Sequence, residues 1–284
     1  MSGDQSDDST PFIAIKTAVK TPAVFVKDLD FRYPDGRHAL RGVDLTIMSG
    51  ESIALVAPNG AGKSTLLWHL NGLLPEYAGS SAGHHGRGDE RGRRRSSQAA
   101  VWIDGIELNA KNSAEIRRRV GLVFQDPDDQ LFSATVLDDV AFGPLNLGKS
   151  QAEARRIAID SLTRVGLADA IDRPPRHLSF GERKRVCVAG VLACDPTVLV
   201  LDEPTANLDP RARRQFISLI RSLPATKLIA THDLEMVLEL CNRTILLDGG
   251  EIVADGLTRN VMGDPLLLET HGLETPLSVK LGRG

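Results

Sequence analysis

No uninterrupted apolar stretch in the sequence approaches the roughly 18 residues of a membrane-spanning helix, so any membrane role needs a partner. The opening residues Met1-Ser2-Gly3-Asp4 lack the basic start of a signal peptide. Cysteine is scarce: Cys187, Cys194 and Cys241 are widely spaced, odd in number and form no C-x-x-C pair. Buried reduced thiols in a cytoplasmic protein fit that pattern. Excess positive charge is missing too; the formal net charge is -3, so nothing global favours nucleic acid. There is also no heptad run. What remains is a globular balance of 284 residues, 42% hydrophobic and 25% charged, with length for a sizeable core and, as a loose prior, two domains.

Residues 1–20 are rich in Ser, Asp and Gly at their start and read as a loosely ordered tail. From Ala23 onward the pattern predicts strands alternating with helices. Ile53-Ala54-Leu55-Val56-Ala57 reads as a buried strand, with a helix over Ser64 to Leu74 behind a glycine-rich turn. Val120 to Phe124, Val198 to Leu201 and Leu228 to Ala230 are further short apolar strands, with helical stretches near 151–165, 181–194, 210–222 and 233–241. Short apolar strands punctuated by helices predict an α/β fold with a mainly parallel sheet. Thr244 to Asp248 and Glu251 to Ala254 flank Gly249-Gly250, a hairpin signal, because both glycines can take positive φ.

The stretch 80–98 differs from its surroundings: it is rich in Gly, Ser and Arg and has no apolar periodicity. It reads as a disordered surface loop. Contact of its arginines with anionic headgroups or nucleic acid, and metal capture by the adjacent His84 and His85, are the sharper alternatives.

The strongest local signal is Ala57-Pro58-Asn59-Gly60-Ala61-Gly62-Lys63-Ser64-Thr65 between a strand and a helix. Gly60 and Gly62 let the backbone wrap a phosphate chain with its N–H groups pointing inward. Lys63 offers a cation for the terminal phosphates and Ser64 a hydroxyl for Mg²⁺. The helix N-terminus adds its dipole and free N–H groups. Phosphate loops of this kind start with Gly, and here Ala57 stands in that place; Ala is tolerated if it keeps negative φ. Downstream, Val198-Leu199-Val200-Leu201-Asp202-Glu203-Pro204 ends an apolar strand on two acids. One carboxylate there can hold Mg²⁺ and its neighbour can activate an attacking water. An acidic pair alone would be a solvated turn; next to a phosphate loop it reads as functional.

At this point the residues resemble the ATP-binding-cassette family. Leu178-Ser179-Phe180-Gly181-Glu182 is similar to the family's signature, with Phe180 in place of Gly and Glu182 in place of Gln. Gln125 resembles the Q-loop residue, Ala206-Asn207-Leu208-Asp209 the D-loop, His232 the switch histidine and Tyr33 the adenine-stacking aromatic. The resemblance runs from Tyr33 to the Gly249-Gly250 hairpin and implies a phosphate-loop nucleoside-triphosphatase core with antiparallel β and helical subdomains. It places the nucleotide-binding domain at 21–262, its helical subdomain at 126–187 and a C-terminal extension at 263–284.

The resemblance also implies a mechanism. Two cassettes close head to tail around two ATP molecules. Tyr33, Asn59, Gly60, Ala61, Gly62, Lys63, Ser64 and Thr65 would bind ATP, and Ser64, Gln125 and Asp202 would hold Mg²⁺. Glu203 would polarise the attacking water, with Gln125 and His232 as its catalytic companions. Ser179 and Gly181 of the second cassette would complete the γ-phosphate site, and Asp209 would cross the interface. Positioning and charge stabilisation carry most of such phosphoryl transfer. The partners implied are a second cassette, identical or related, and integral membrane subunits, at the cytoplasmic face of the membrane. Gln125 to Phe132 and Phe142 to Leu147 resemble ATPases of energy-coupling-factor importers, and Phe180 with Glu182 leans toward the cobalt and nickel members. A vitamin importer of the same group is the alternative. A cassette ATPase working on ribosomes or DNA fits less well, since those carry two cassettes or a coiled-coil insertion. A non-hydrolysing regulator is disfavoured by the presence of both Glu203 and His232.

Overall fold

The computed structural model describes residues 21–75 and 100–282. The tail 1–20 and the basic stretch 80–98, with the readings placed on His84 and His85, lie outside the described residues. β1 (Pro22–Arg32) and β2 (His38–Met48) pair antiparallel, with Val26 opposite Leu45. The expected alternation of strands and helices from Ala23 therefore does not hold at the start. These two strands and β3 (Ser52–Val56) all precede the first helix. The cause is local. Tyr33-Pro34-Asp35-Gly36 closes a tight turn in which the Gly36 N–H donates to the Tyr33 carbonyl at 2.9 Å. The chain then doubles back and buries Val24, Val26 and Leu29 against Val43, Leu45 and Ile47. β4 (Ala100–Ile103) pairs with the other edge of β1, and β5 (Ile106–Glu107) completes a four-stranded sheet in the order β2-β1-β4-β5.

The second sheet holds β3, β6 (Val120–Val123), β7 (Val198–Asp202), β8 (Thr226–Ala230), β9 (Arg243–Asp248) and β10 (Glu251–Leu257), in the order β10-β9-β3-β8-β7-β6. All its pairings are parallel except β10 on β9. The apolar runs are continuous because both faces are covered. Ile53, Leu55, Val198 and Val200 enter one core, shared with the antiparallel sheet. Their neighbours Ala54, Val56, Leu199 and Leu201 enter a second core under the helices. Gly249 (φ 56°) and Gly250 (φ 87°) make the expected β9–β10 turn.

α1 (Lys63–Asn71) follows β3 and stops short of the expected Leu74, because Gly72 takes a left-handed C-cap (φ 73°) and turns the chain out of the helix. α2 (Ser113–Arg119) leads into β6. α3 (Val136–Asn146), α4 (Gln151–Arg164) and α5 (Phe180–Leu192) form a helical layer that buries Val140, Ala154, Ala158, Leu162 and Val188 together. Ser150 with Glu153, and Ser179 with Glu182, close capping boxes at the starts of α4 and α5. α6 (Pro210–Ser222) and α7 (Leu234–Leu240) flank β8 in sequence. α8 (Thr258–Met262), α9 (Pro265–Thr270) and α10 (Leu277–Lys280) end the described chain, and Leu268 of α9 is fully buried in the core that takes Met262. The architecture is the α/β fold expected, with its antiparallel β and helical parts. Among the described residues no helix is long and apolar enough to cross a membrane.

Candidate functional site

The ends of β3 and β7 are brought side by side by the sheet order, since only β8 lies between them. The loop after β3 therefore faces the acids after β7. Between them lies a cavity of about 610 Å³ lined by Tyr33, Asn59, Gly60, Gly62, Lys63, Ser64, Thr65, Gln125, Asp202, Glu203 and His232. Arg37, His38, Ala39, Pro58 and Trp68 line it as well. Ala57 and Ala61 are the residues of the expected phosphate loop that do not reach this wall; both are buried, 2% and 4% exposed.

The cradle is shaped by its glycines. Gly60 has φ 79° and Gly62 φ 103°, and a Cβ on Gly62 would stand 2.3 Å from the Ala39 carbonyl oxygen. Gly62 is the N-cap of α1 and gives it no side-chain hydrogen bond. The N–H groups of the first turn therefore keep no local acceptor, the arrangement that favours an anion. Ala57 is not among the positive-φ residues, so the departure from Gly at that position costs the loop no strain.

Lys63 and Glu203 form an ion pair at 2.5 Å. Glu203 sits at φ 43°, in the left-handed region, and is only 5% exposed. Its second oxygen accepts from the Thr231 hydroxyl at 3.0 Å and the His232 N–H at 3.3 Å, and lies 2.9 Å from His232 Nδ1. Burial pushes the Glu203 carboxyl up, but the Lys63 ammonium and His232 outweigh it and hold the group below the usual carboxylate range. Asp202 goes the other way. Burial lifts it above its ordinary value against the pull of Lys63 and the Ser64 hydroxyl, and the neighbouring Glu203 charge adds to the lift. Two adjacent carboxyls thus have environments that drive them apart.

Tyr33 is not a bare platform. Its hydroxyl lies 3.0 Å from Thr65 Oγ1, Phe31 meets it edge-on at 5.0 Å, and the Arg37 guanidinium covers one ring face at 4.4 Å.

Ser179, Gly181 and Asp209 are not part of this cavity. They line another of about 320 Å³ with Glu182, Arg185, Arg211, Ala212 and Gln215. Ser179 Oγ is bound within its own chain, donating to Glu182 Oε2 at 2.8 Å. Asp209 caps α6, accepting from the N–H groups of Arg211 and Ala212 at 2.8 and 2.9 Å. The expected residues thus fall in two separate cavities.

Sequence reasoning missed Thr231, Arg37 and, most of all, Lys184. That lysine is 1% exposed and donates to the Glu203 carbonyl at 2.8 Å and the Pro204 carbonyl at 3.1 Å. A signal existed: Lys184 stands in helical register with Cys187, Val188 and Val191, an apolar stripe at i, i+3, i+4 and i+7. Thr231 and Arg37 carried none, since a lone Thr or Arg is unremarkable in any window.

Comparison with known proteins agrees with this geometry. The model of the ABC transporter family matches residues 40–206. A protein of Gloeobacter violaceus provisionally named an ABC transporter ATP-binding protein is 52% identical, covering 91% of this chain and 98% of its own length. An energy-coupling factor transporter ATP-binding protein EcfA of Carboxydothermus hydrogenoformans is 44% identical, over 91% of this chain and 89% of its own. Among solved structures, CbiO1 of Clostridium perfringens, described as part of the ABC transporter complex CbiONQ, superposes with a TM-score of 0.73 at 34% identity. That match covers 93% of this chain and 100% of the other. The chain belongs to the ABC transporter ATPase family. It is an ATP-binding, ATP-hydrolysing subunit of a transporter, of a class whose cassettes dimerise and work with membrane subunits.

Proposed function

We propose that this chain energises an importer of the energy-coupling-factor type, at the cytoplasmic face of the membrane, and that the cargo is cobalt or nickel. The observation that carries the hydrolytic part is the convergence of Lys63, Ser64, Gln125, Asp202, Glu203 and His232 on one cavity. Lys63 and the first-turn N–H groups of α1 bind the phosphates, and Tyr33 takes the adenine. Ser64, Asp202 and Gln125 supply hydroxyl, carboxylate and amide oxygen, a hard donor set that fits Mg²⁺ and would hold it. The ion, when bound, neutralises charge on the phosphates. Glu203 accepts a proton from the attacking water, and His232 keeps water and γ-phosphate aligned. Ser179 and Gly181 reach the γ-phosphate of a second cassette, with Asp209 at the interface, which accounts for their separation from Lys63 within one protomer.

The nucleotide-binding unit spans 21–262, with 263–284 as an extension. The membrane subunit docks on the helical stretch 126–187. There Phe132 and Phe142 stack edge-on at 4.8 Å while 67% and 47% exposed, with Leu145 beside them on α3. Large exposed aromatics of this kind mark contact surfaces. The EcfA relatives and the CbiO1 structure support the importer class. The signature variants Phe180 and Glu182 support the metal cargo. The test is uptake of radiolabelled cobalt and nickel in cells lacking this subunit, restored either with it or with Lys63→Ala. Metal uptake should return only with the unmodified subunit. Unchanged metal uptake in all three, with vitamin uptake falling instead, overturns the cargo and leaves the transporter class standing.

A further inference from the structure

Lys184 is among the largest of the fully buried side chains, 1% exposed. An ammonium in that position is expensive to desolvate unless its protons are taken up. Burial is the first influence on it and draws it down to about 8, against the opposing charges of Glu203, Asp126 and Asp202. The Phe180 ring lies 5.5 Å from Nζ. What the lysine gains is specific: two backbone acceptors, the carbonyls of Glu203 and Pro204.

Those two carbonyls belong to the turn that carries the carboxylate. Pro204 has no N–H, so the peptide between Glu203 and Pro204 brings no donor of its own. Glu203 is held at φ 43°, a left-handed conformation that a non-glycine residue keeps only where the surroundings over-determine it. The Glu203 N–H is anchored to the Ala230 carbonyl at 2.8 Å. The carboxylate is anchored by Lys63, Thr231 and His232. On the carbonyl side the Ala206 N–H donates to Glu203 at 3.2 Å, and Lys184 joins it while also holding the Pro204 carbonyl, from a helix whose N-cap is Ser179 and whose first turn carries Gly181.

We propose that Lys184 is a positioning residue for hydrolysis: by gripping the Glu203 and Pro204 carbonyls it fixes the backbone that aims the Glu203 carboxylate at the attacking water. It does not line the cavity that holds Lys63 and Glu203. This rests on the reading of Glu203 as the proton acceptor.

The test is a double-mutant cycle on the full chain. Lys184→Met keeps length and removes the donors; Lys184→Gln keeps an uncharged donor. In Lys184→Met, kcat should fall about 10- to 100-fold, the scale on which a misplaced group loses rate. The dissociation constant for ATP should stay within about threefold, because the phosphate cradle is untouched. Lys184→Gln should regain part of the rate. In a Glu203→Gln background, Lys184→Met should cause no further loss, since nothing remains to be aimed. Melting temperature, recorded for each variant, separates rate from folding. Equal losses in both backgrounds, an unchanged kcat, a loss that merely tracks folded protein, or failure of both Lys184 variants to fold overturns the proposal and leaves Lys184 a structural residue. A near-normal rate for Glu203→Gln by itself would instead overturn the reading of Glu203.

Discussion

Lys63 and Glu203, 140 residues apart in sequence, are ion-paired across the cavity, with their side chains 14% and 7% exposed. The cation that would meet the phosphates is engaged by the carboxylate that would meet the water. On the proposed reading, phosphate oxygens would replace that carboxylate as partners of Lys63 and free Glu203 for the attacking water.

Glu203→Gln should therefore separate binding from hydrolysis. The amide keeps the size and the contacts with Thr231 and His232 but removes the ion-pair partner of Lys63. Nucleotide affinity should hold or rise, and phosphate release should fall by about 10²–10⁴-fold. Fluorescent-nucleotide titration and a steady-state phosphate assay measure the two sides, and loss of both together would contradict this account.

The two cradle glycines should respond differently. Nothing lies within 4 Å of a Cβ built on Gly60, so Gly60→Ala should cost only its left-handed backbone, about 1–2 kcal/mol. Gly62→Ala meets the Ala39 carbonyl oxygen and must displace the loop. Gly62→Ala should lose more than tenfold in nucleotide affinity, at about 1.4 kcal/mol per tenfold, while Gly60→Ala retains binding. Equal affinities in the two variants would count against the geometry.

The thiols should be nearly inert in the folded protein. Burial pushes Cys187 and Cys241 up to about 12, and raises Cys194 as well. Only the thiolate attacks, so alkylation of Cys187 and Cys241 near pH 8 should run roughly a thousandfold slower than for an ordinary thiol. Mass spectrometry after iodoacetamide should find Cys194 modified first, and all three modified after denaturation. Rapid modification of Cys241 in the native protein would refute this.

Acid should weaken the anchor next to His232. Asp233 accepts two hydrogen bonds from Arg213, at 2.9 and 3.1 Å, one from Thr205 at 3.1 Å and one from the Met236 N–H at 3.0 Å. Burial raises its carboxyl, but the Arg213 and Met236 bonds outweigh that and hold it below the ordinary aspartate value. The native form therefore keeps its charge to lower pH than the unfolded chain does. The stability it contributes is complete above about pH 4, the unfolded value, and disappears as pH falls through the lower native one. Asp233→Asn should lower stability at pH 7 by about 1–3 kcal/mol. It should also flatten the decline below pH 4 in urea melts, and a parallel decline in the two proteins would show that Asp233 adds nothing.

The sequence by itself determined whatever is encoded in neighbouring residues. The strand runs of β3, β7 and β8 follow from unbroken apolar stretches, and the Gly249-Gly250 turn and the phosphate loop from glycines placed where φ is positive. The acids ending β7 were legible for the same reason, because a strand end and its next residue are adjacent in the chain. Only the tertiary structure decided which of these meet. Sheet order, with β3 one strand away from β7, sets Lys63 against Glu203, and that order depends on pairing across intervening helices, not on any local window. The same holds for the separation of Ser179, Gly181 and Asp209 from the Lys63 cavity. Lys184 is the sharpest case: its register with Cys187, Val188 and Val191 marks the inward face of a helix, but nothing in the sequence says which groups meet it there. Packing of α5 beneath the end of β7 turns that one lysine inward, where only the carbonyls of Glu203 and Pro204 make its burial tolerable.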